Sequence, residues 1–135
     1  MMKRLLLVDD EETIRFLAAE FLRDEGFDVV EAESGDDALG HLRQSEAFDI
    51  LVSDVQMPGL RDGVDLVACA RAILPNIAVV VVSGYAASLS ERLAALRQPH
   101  EFLPKPFHLT ELTDSINQAA AKHASNNSLR SEVRV

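Results

Sequence analysis

Three short, unbroken apolar runs constrain this chain more than any other feature: Leu5-Leu6-Leu7-Val8, Ile50-Leu51-Val52 and Ile77-Ala78-Val79-Val80-Val81-Val82. A strand with one face in water alternates apolar and polar residues, so a run with no polar position must be covered on both faces. That is the mark of a parallel sheet held between helices. Each run is closed within a residue or two by a polar group, at Asp9-Asp10, Asp54 and Ser83 respectively. In a parallel sheet these ends all lie on one edge, where ligands gather.

Between the runs the apolar period lengthens to that of a helix. Ile14, Leu17, Ala18, Phe21 and Leu22 recur at helical spacing before Gly26, which predicts a first helix stopped by glycine. Ser34-Gly35-Asp36-Asp37 reads as a capping box opening a second helix, with Ala38, Leu39 and Leu42 inward. Leu66, Val67, Ala70 and Leu74 predict a third, ended by Pro75. Ser88-Leu89-Ser90-Glu91 caps a fourth carrying Leu89, Leu93 and Leu96, and Leu109, Leu112, Ile116 and Ala119 mark a fifth. With Phe27–Ala32 and Glu101–Leu103 as the remaining strands, five strands alternate with five helices. The fold class is α/β, a (βα)5 three-layer sandwich with right-handed crossovers. One domain is expected over 1–124. From Ser125 to Glu132 the apolar period disappears, which predicts a disordered tail over 125–135.

Composition removes several functions. With 13 basic against 22 acidic residues the formal charge is −9, which disfavours nucleic acid or an anionic membrane as a direct partner and suits a cation or a basic protein surface. The longest wholly apolar run, Ile77 to Val82, falls far short of the ~20 residues that span a bilayer. Met1-Met2-Lys3-Arg4 leads into too few apolar residues for a signal peptide and reads as a natural start. The single Cys69 excludes an internal disulfide, fits a reducing cytoplasm, and borders the apolar face of the third helix, where packing is its expected role. His41, His100, His108 and His123 share no metal-ligand spacing and read as surface residues.

The chemistry therefore lies at the strand ends. Asp9, Asp10, Asp54, Ser83 and Lys105 come from four strands to one edge. Crowded carboxylates repel unless a cation neutralises them. An all-oxygen donor set without Cys or His points to Mg²⁺. Carboxylate, Mg²⁺, ammonium and hydroxyl around one open spot form a receptor for a phosphoryl group. Taken singly, each acid is equally a turn former or helix cap. Their joint placement on the correct edge is what solubility alone does not produce.

Leu7-Val8-Asp9-Asp10-Glu11, Asp54-Val55-Gln56-Met57-Pro58, Val82-Ser83-Gly84-Tyr85 and Leu103-Pro104-Lys105-Pro106-Phe107 stand in the order and spacing of known motifs. In these residues the chain, from about Lys3 to Lys122, strongly resembles the receiver domain of bacterial two-component response regulators, chemotaxis-regulator-like and single-domain. The resemblance implies a flavodoxin-like sheet of strand order 2-1-3-4-5, an order that periodicity does not supply. It implies that Asp54 accepts a phosphoryl group from a phosphohistidine on a sensor histidine kinase or histidine phosphotransfer protein. Asp10 would ligate Mg²⁺ directly, Asp9 through water, and Asp54 and the backbone carbonyl of Gln56 would complete the protein ligands. Lys105, before a cis Pro106, would pair with the phosphoryl oxygens. Ser83 would turn toward the phosphoryl group and Phe102 would turn inward as a switch. The face of the fourth helix, fifth strand and fifth helix would then change shape and signal to a downstream protein, and homodimerisation through that face stays open.

On this reading the protein is a signalling phosphoacceptor that assists its own phosphoryl transfer and dephosphorylation, not an enzyme with a separate substrate. Read without the resemblance, Phe102 is an ordinary core aromatic. Two departures from the family pattern stand out: the extra residue in Gly59-Leu60-Arg61 before Asp62-Gly63, and Gln98-Pro99-His100-Glu101 in place of a Gly-Ala before the fifth strand. Gln56 and Tyr85 flank the expected entry path of attacking water. The alternative is a small aspartyl-phosphate-forming phosphohydrolase. Against it, Asp54 is followed two residues later by Gln56 rather than a second acid, and no cap domain is present. A nucleotide- or flavin-binding module would need a glycine-rich phosphate loop that the chain lacks.

Overall fold

A strand presents successive side chains to opposite faces, and this alternation divides the apolar runs into two cores. A computed structural model of the protein describes residues 2–44, 47–55, 63–84 and 100–133, with side chains as far as 121. In it the runs form β1 (Arg4–Val8), β3 (Ile50–Asp54) and β4 (Ala78–Ser83), joined by β2 (Asp28–Ala32) and β5 (Glu101–Pro104) in one five-stranded sheet ordered β2-β1-β3-β4-β5. All neighbouring pairs are parallel.

Leu6, Val8, Leu51, Val79 and Val81 project to one face and meet Ala38 and Leu42 of α2 (Gly35–Gln44) and Leu66, Val67 and Ala70 of α3 (Gly63–Ile73). Leu5, Leu7, Ile50, Val52, Val80 and Val82 project to the other. They meet Ala18, Ala19 and Leu22 of α1 (Glu12–Asp24) and Leu112, Ile116 and Ala119 of the C-terminal helix (Leu109–Val133). The result is the three-layer sandwich expected from the pattern, and burial of each such Leu, Ile or Val stabilises it by roughly 1.5–3 kcal/mol.

Local chemistry sets the helix ends. Gly26, at φ +100°, turns the chain after α1, and its N–H donates to the Arg23 carbonyl at 3.0 Å. Ser34 Oγ accepts the Asp37 N–H at 3.0 Å, as its capping pattern predicts. The reciprocal bond differs, because Asp37 Oδ2 accepts the N–H of Glu33 at 3.2 Å and not that of Ser34.

Two details depart from the pattern reading, and a third lies outside the described residues. Ile14 and Leu17 are exposed while Ala18, Ala19 and Leu22 are buried, so α1 packs on its small-residue face and leaves its larger ridge outward. The backbone stays helical through Val133, across the stretch whose composition predicts a disordered tail. There the apolar period is lost but no proline interrupts the run of helix hydrogen bonds. Among the described residues there are four helices, since the predicted fourth helix lies outside them, as do Gln56, Gly59-Leu60-Arg61 and Tyr85. No described helix is long and apolar enough to cross a membrane.

Candidate functional site

Sheet register carries the polar residues to one place. Val8 pairs with Ser53, Asp54 with Val82, and Ser83 with Pro104. Asp9, Asp54, Ser83 and Lys105 therefore stand side by side where three central strands and one edge strand run out. The Lys105 N–H donates to the Ser83 carbonyl at 3.0 Å, which extends the ladder to the lysine. Its peptide bond to Pro106 is cis.

Asp54 is 7% exposed, and its Oδ2 accepts a hydrogen bond from Lys105 Nζ at 3.0 Å. The same ammonium reaches Asp9 Oδ2 at 3.5 Å. Asp9 Oδ1 accepts the N–H of Glu11 at 2.9 Å, which curls the chain back so that α1 can begin. Asp10 is exposed beside these two buried acids. One ligand oxygen from each of Asp9, Asp10 and Asp54 can be chosen so that all lie within 4.8 Å of one another. The donor set fits Mg²⁺: the oxygens are hard, and three carboxylates against one ammonium leave an excess of two negative charges, which a divalent cation matches.

Ser83 is buried at the end of β4. Strand alternation puts it on the α2/α3 face with Val79 and Val81, and Val81 pairs with Phe102. Phe102 is half-buried against that core. The two residues expected to switch together thus share one face of adjacent strands.

Burial of the Lys105 ammonium pulls its pKa down. The hydrogen bond and charge of Asp54, then the charge and hydrogen bond of Asp9, outweigh this, and the net shift is upward from 10.5. A lysine whose folded value is the higher contributes stability that is whole below the unfolded value and is lost as pH climbs through the raised one. Urea denaturation of wild type and Lys105→Met should therefore differ by a constant margin from neutral pH to the ordinary lysine range, narrowing only above it. A margin that closes near neutral pH would contradict this pairing.

Sequence reasoning missed Arg15. Its Nη1 donates to the carbonyl oxygen of Asp9 at 2.8 Å and its Nε to Glu31 Oε1 at 3.3 Å. No sequence period marks an arginine on α1 as a neighbour of the acids, because its partner there is a main-chain carbonyl, which every residue possesses. It also missed a groove beside Lys105, with a cavity of about 430 Å³ lined by Ile14, Leu17, Pro106, Phe107 and Leu109.

A parallel α/β sheet whose open edge gathers acids, an ammonium and a hydroxyl defines a class of domain that handles a cation together with an anionic group. The sequence profile of the response regulator receiver domain matches residues 5–117, and the chain belongs to that family. The response regulator receiver protein CpdR of Brucella abortus (strain 2308) is 32% identical over 117 residues, 87% of this chain and 96% of that protein. The sensor kinase CckA of the same strain is 37% identical over 119 residues, 87% of this chain but 12% of the kinase. Among solved structures, a response regulator receiver protein from Sinorhizobium medicae WSM419 matches with a TM-score of 0.80 at 31% identity, covering 90% of this chain and 97% of that one. Receiver domains are signalling phosphoacceptors, phosphorylated on an aspartate by histidine kinases, that use Mg²⁺ at an aspartate cluster and act on downstream targets.

Proposed function

We propose that Asp54 is the phosphoacceptor of this receiver and takes its phosphoryl group from a phosphohistidine on a sensor histidine kinase or histidine phosphotransfer protein. The observation that carries this reading is the Asp54 carboxylate itself, buried at the sheet's carboxyl edge, 3.0 Å from the Lys105 ammonium and grouped with Asp9 and Asp10. In the transfer, an Asp54 oxygen attacks phosphorus as the P–N bond breaks, and the electron pair returns to the imidazole, which takes up a proton. Lys105 follows the charge onto the phosphoryl oxygens. Asp10, Asp54 and the Gln56 carbonyl, with Asp9 through water, would hold Mg²⁺, which would supply further positive charge to those oxygens.

The phosphoryl group adds charge and strong acceptors at the end of β3, which favours the arrangement in which the Ser83 hydroxyl turns toward it. Phe102, on the same face, follows inward, and the surface formed by the fourth predicted helix, β5 and the C-terminal helix is biased between two states. The module that does this is residues 1–124, with 125–135 as a tail. The protein acts in the cytoplasm as a signalling phosphoacceptor whose own side chains assist gain and loss of the group. It works through protein contacts and not by turning over a substrate or binding nucleic acid.

The test is incubation with Mg²⁺ and acetyl phosphate, or with a phosphorylated histidine kinase, followed by intact mass. Gain of one phosphoryl group is the expected result. No gain from either donor would overturn this reading, and rapid phosphate release from many unrelated esters would favour the phosphohydrolase instead.

A donor protein must lay its surface over the edge that bears Asp54, and the groove beside Lys105 offers apolar contact there. Leu17, 55% exposed on its rim, is the residue to alter. Leu17→Glu is expected to slow transfer from a phosphohistidine protein by roughly tenfold or more, the effect of losing a central apolar contact. It should leave labelling by acetyl phosphate, which needs no such contact, unchanged.

A further inference from the structure

We infer that Arg15 is a positioning residue for the metal-binding acids: it holds the peptide between Asp9 and Asp10 in the orientation that turns both carboxylates toward Asp54. The inference rests on the reading of Asp9 and Asp10 as ligands. Past Val8 the chain leaves the sheet, its last link to β2 being the Asp9 N–H on the Ala32 carbonyl at 3.2 Å. The carbonyl of Asp9 instead accepts from Arg15 Nη1 at 2.8 Å. A peptide unit is planar, so fixing the direction of its carbonyl also fixes where Asp10 begins. The N-cap residue of α1, Glu11, makes no side-chain cap bond, so this helix is tied to the acidic bend by the Glu11 N–H on Asp9 Oδ1 and by the guanidinium on the Asp9 carbonyl, of which the guanidinium alone holds the peptide itself.

Arg15 is itself anchored. Its Nε donates to Glu31 Oε1 at 3.3 Å, and Glu31 Oε2 accepts from Arg23 Nη2 at 3.3 Å. Arg23 Nη2 also donates to the Val29 carbonyl at 3.1 Å. The relay therefore runs from β2 through two side chains of α1 to the Asp9 peptide. With the Arg15 side chain only 15% exposed, its contact with Glu31 is less screened than a surface pair.

A charge effect and a positioning effect have opposite signs here. Arg15, Asp9 and Asp54 line one small cavity, so deleting the guanidinium charge by itself would tighten binding of a divalent cation. Loss of positioning would weaken it. Loss of stability alone would change neither affinity of the folded protein.

The test is calorimetric titration of the full chain with Mg²⁺, with thermal melts alongside, for wild type, Arg15→Gln, Arg15→Lys and Asp10→Asn. Arg15→Gln is expected to raise the Mg²⁺ dissociation constant roughly tenfold, the scale seen when a group supporting a ligand is removed. Arg15→Lys keeps the charge but has one nitrogen where the guanidinium uses two, so it cannot span the Asp9 carbonyl and Glu31 in the same geometry, and should fall between. Asp10→Asn should bind far more weakly than any of them. If Asp10→Asn loses Mg²⁺ while Arg15→Gln binds it as tightly as wild type or more so, the role of Arg15 is overturned and the metal reading stands. If Asp10→Asn matches wild type, the ligand assignment fails and takes this inference with it. Should Arg15→Gln not fold, Arg15→Lys decides, and an affinity equal to wild type overturns the inference.

Discussion

Replacing Asp54 with asparagine is expected to abolish phosphoryl uptake from both acetyl phosphate and a phosphohistidine protein, leaving the intact mass unchanged after incubation with Mg²⁺. The loss should be complete and not graded, because a carboxamide has no anionic oxygen to attack phosphorus, and no neighbour replaces it as a nucleophile of the same reach. Asp9 has one oxygen on the Glu11 N–H and the other on Lys105, and Asp10 faces solvent. The substitution is close to isosteric, and the asparagine carbonyl can still accept from Lys105 Nζ, so the hydrogen bond seen at 3.0 Å has a successor. Removing one of three crowded charges relieves repulsion while it removes the charge paired with Lys105, so the two effects oppose and the variant should remain folded in the absence of Mg²⁺. A folded Asp54→Asn protein that still gains a phosphoryl group would place the acceptor elsewhere and dismantle the proposed site.

What could be read from sequence alone follows from how each feature is encoded. The β1, β3 and β4 runs have no polar interruption, so both their burial on two faces and the residues that end them are visible in one dimension. The assembly of Asp9, Asp54, Ser83 and Lys105 was legible for the same reason, since parallel strands of similar length must end together. Where two elements pack, the pattern carries less. The ridge of Ile14 and Leu17 has core spacing, yet α1 approaches the sheet through Ala18, Ala19 and Leu22, because two alanines let the helix axis come closer than larger residues would. Strand order came from family resemblance, since a βα repeat is compatible with several orders. Arg15 was invisible because its partner is a main-chain carbonyl, which every residue possesses and no sequence pattern singles out.

Gly63 belongs to the same illegible class, and it yields the largest predicted effect on stability. It is the first residue of α3, and its N–H donates to the Val55 carbonyl at 3.0 Å, which brings the helix start against the end of β3. A Cβ built there would fall onto the carbonyl oxygen of Asp54 and lie 2.7 Å from the Cα of Val55. Both obstacles are backbone, and β3 is fixed between β1 and β4, so the strand cannot step aside cheaply. Gly63→Ala is therefore expected to destabilise by about 2 kcal/mol or more, within the range for overpacking, despite the roughly 1 kcal/mol that alanine gains as a helix former. The control is Gly40, exposed inside α2, where a Cβ meets nothing within 4 Å. Gly40→Ala should stabilise by about 0.5–1 kcal/mol. Urea denaturation thus gives opposite signs for one substitution at two glycines, and equal signs would mean that α3 does not press on β3 as described. Because relief of the clash shifts the Asp54 peptide, surviving Gly63→Ala protein should also take up phosphate more slowly from acetyl phosphate, by up to ~10²-fold for a displacement near 1 Å.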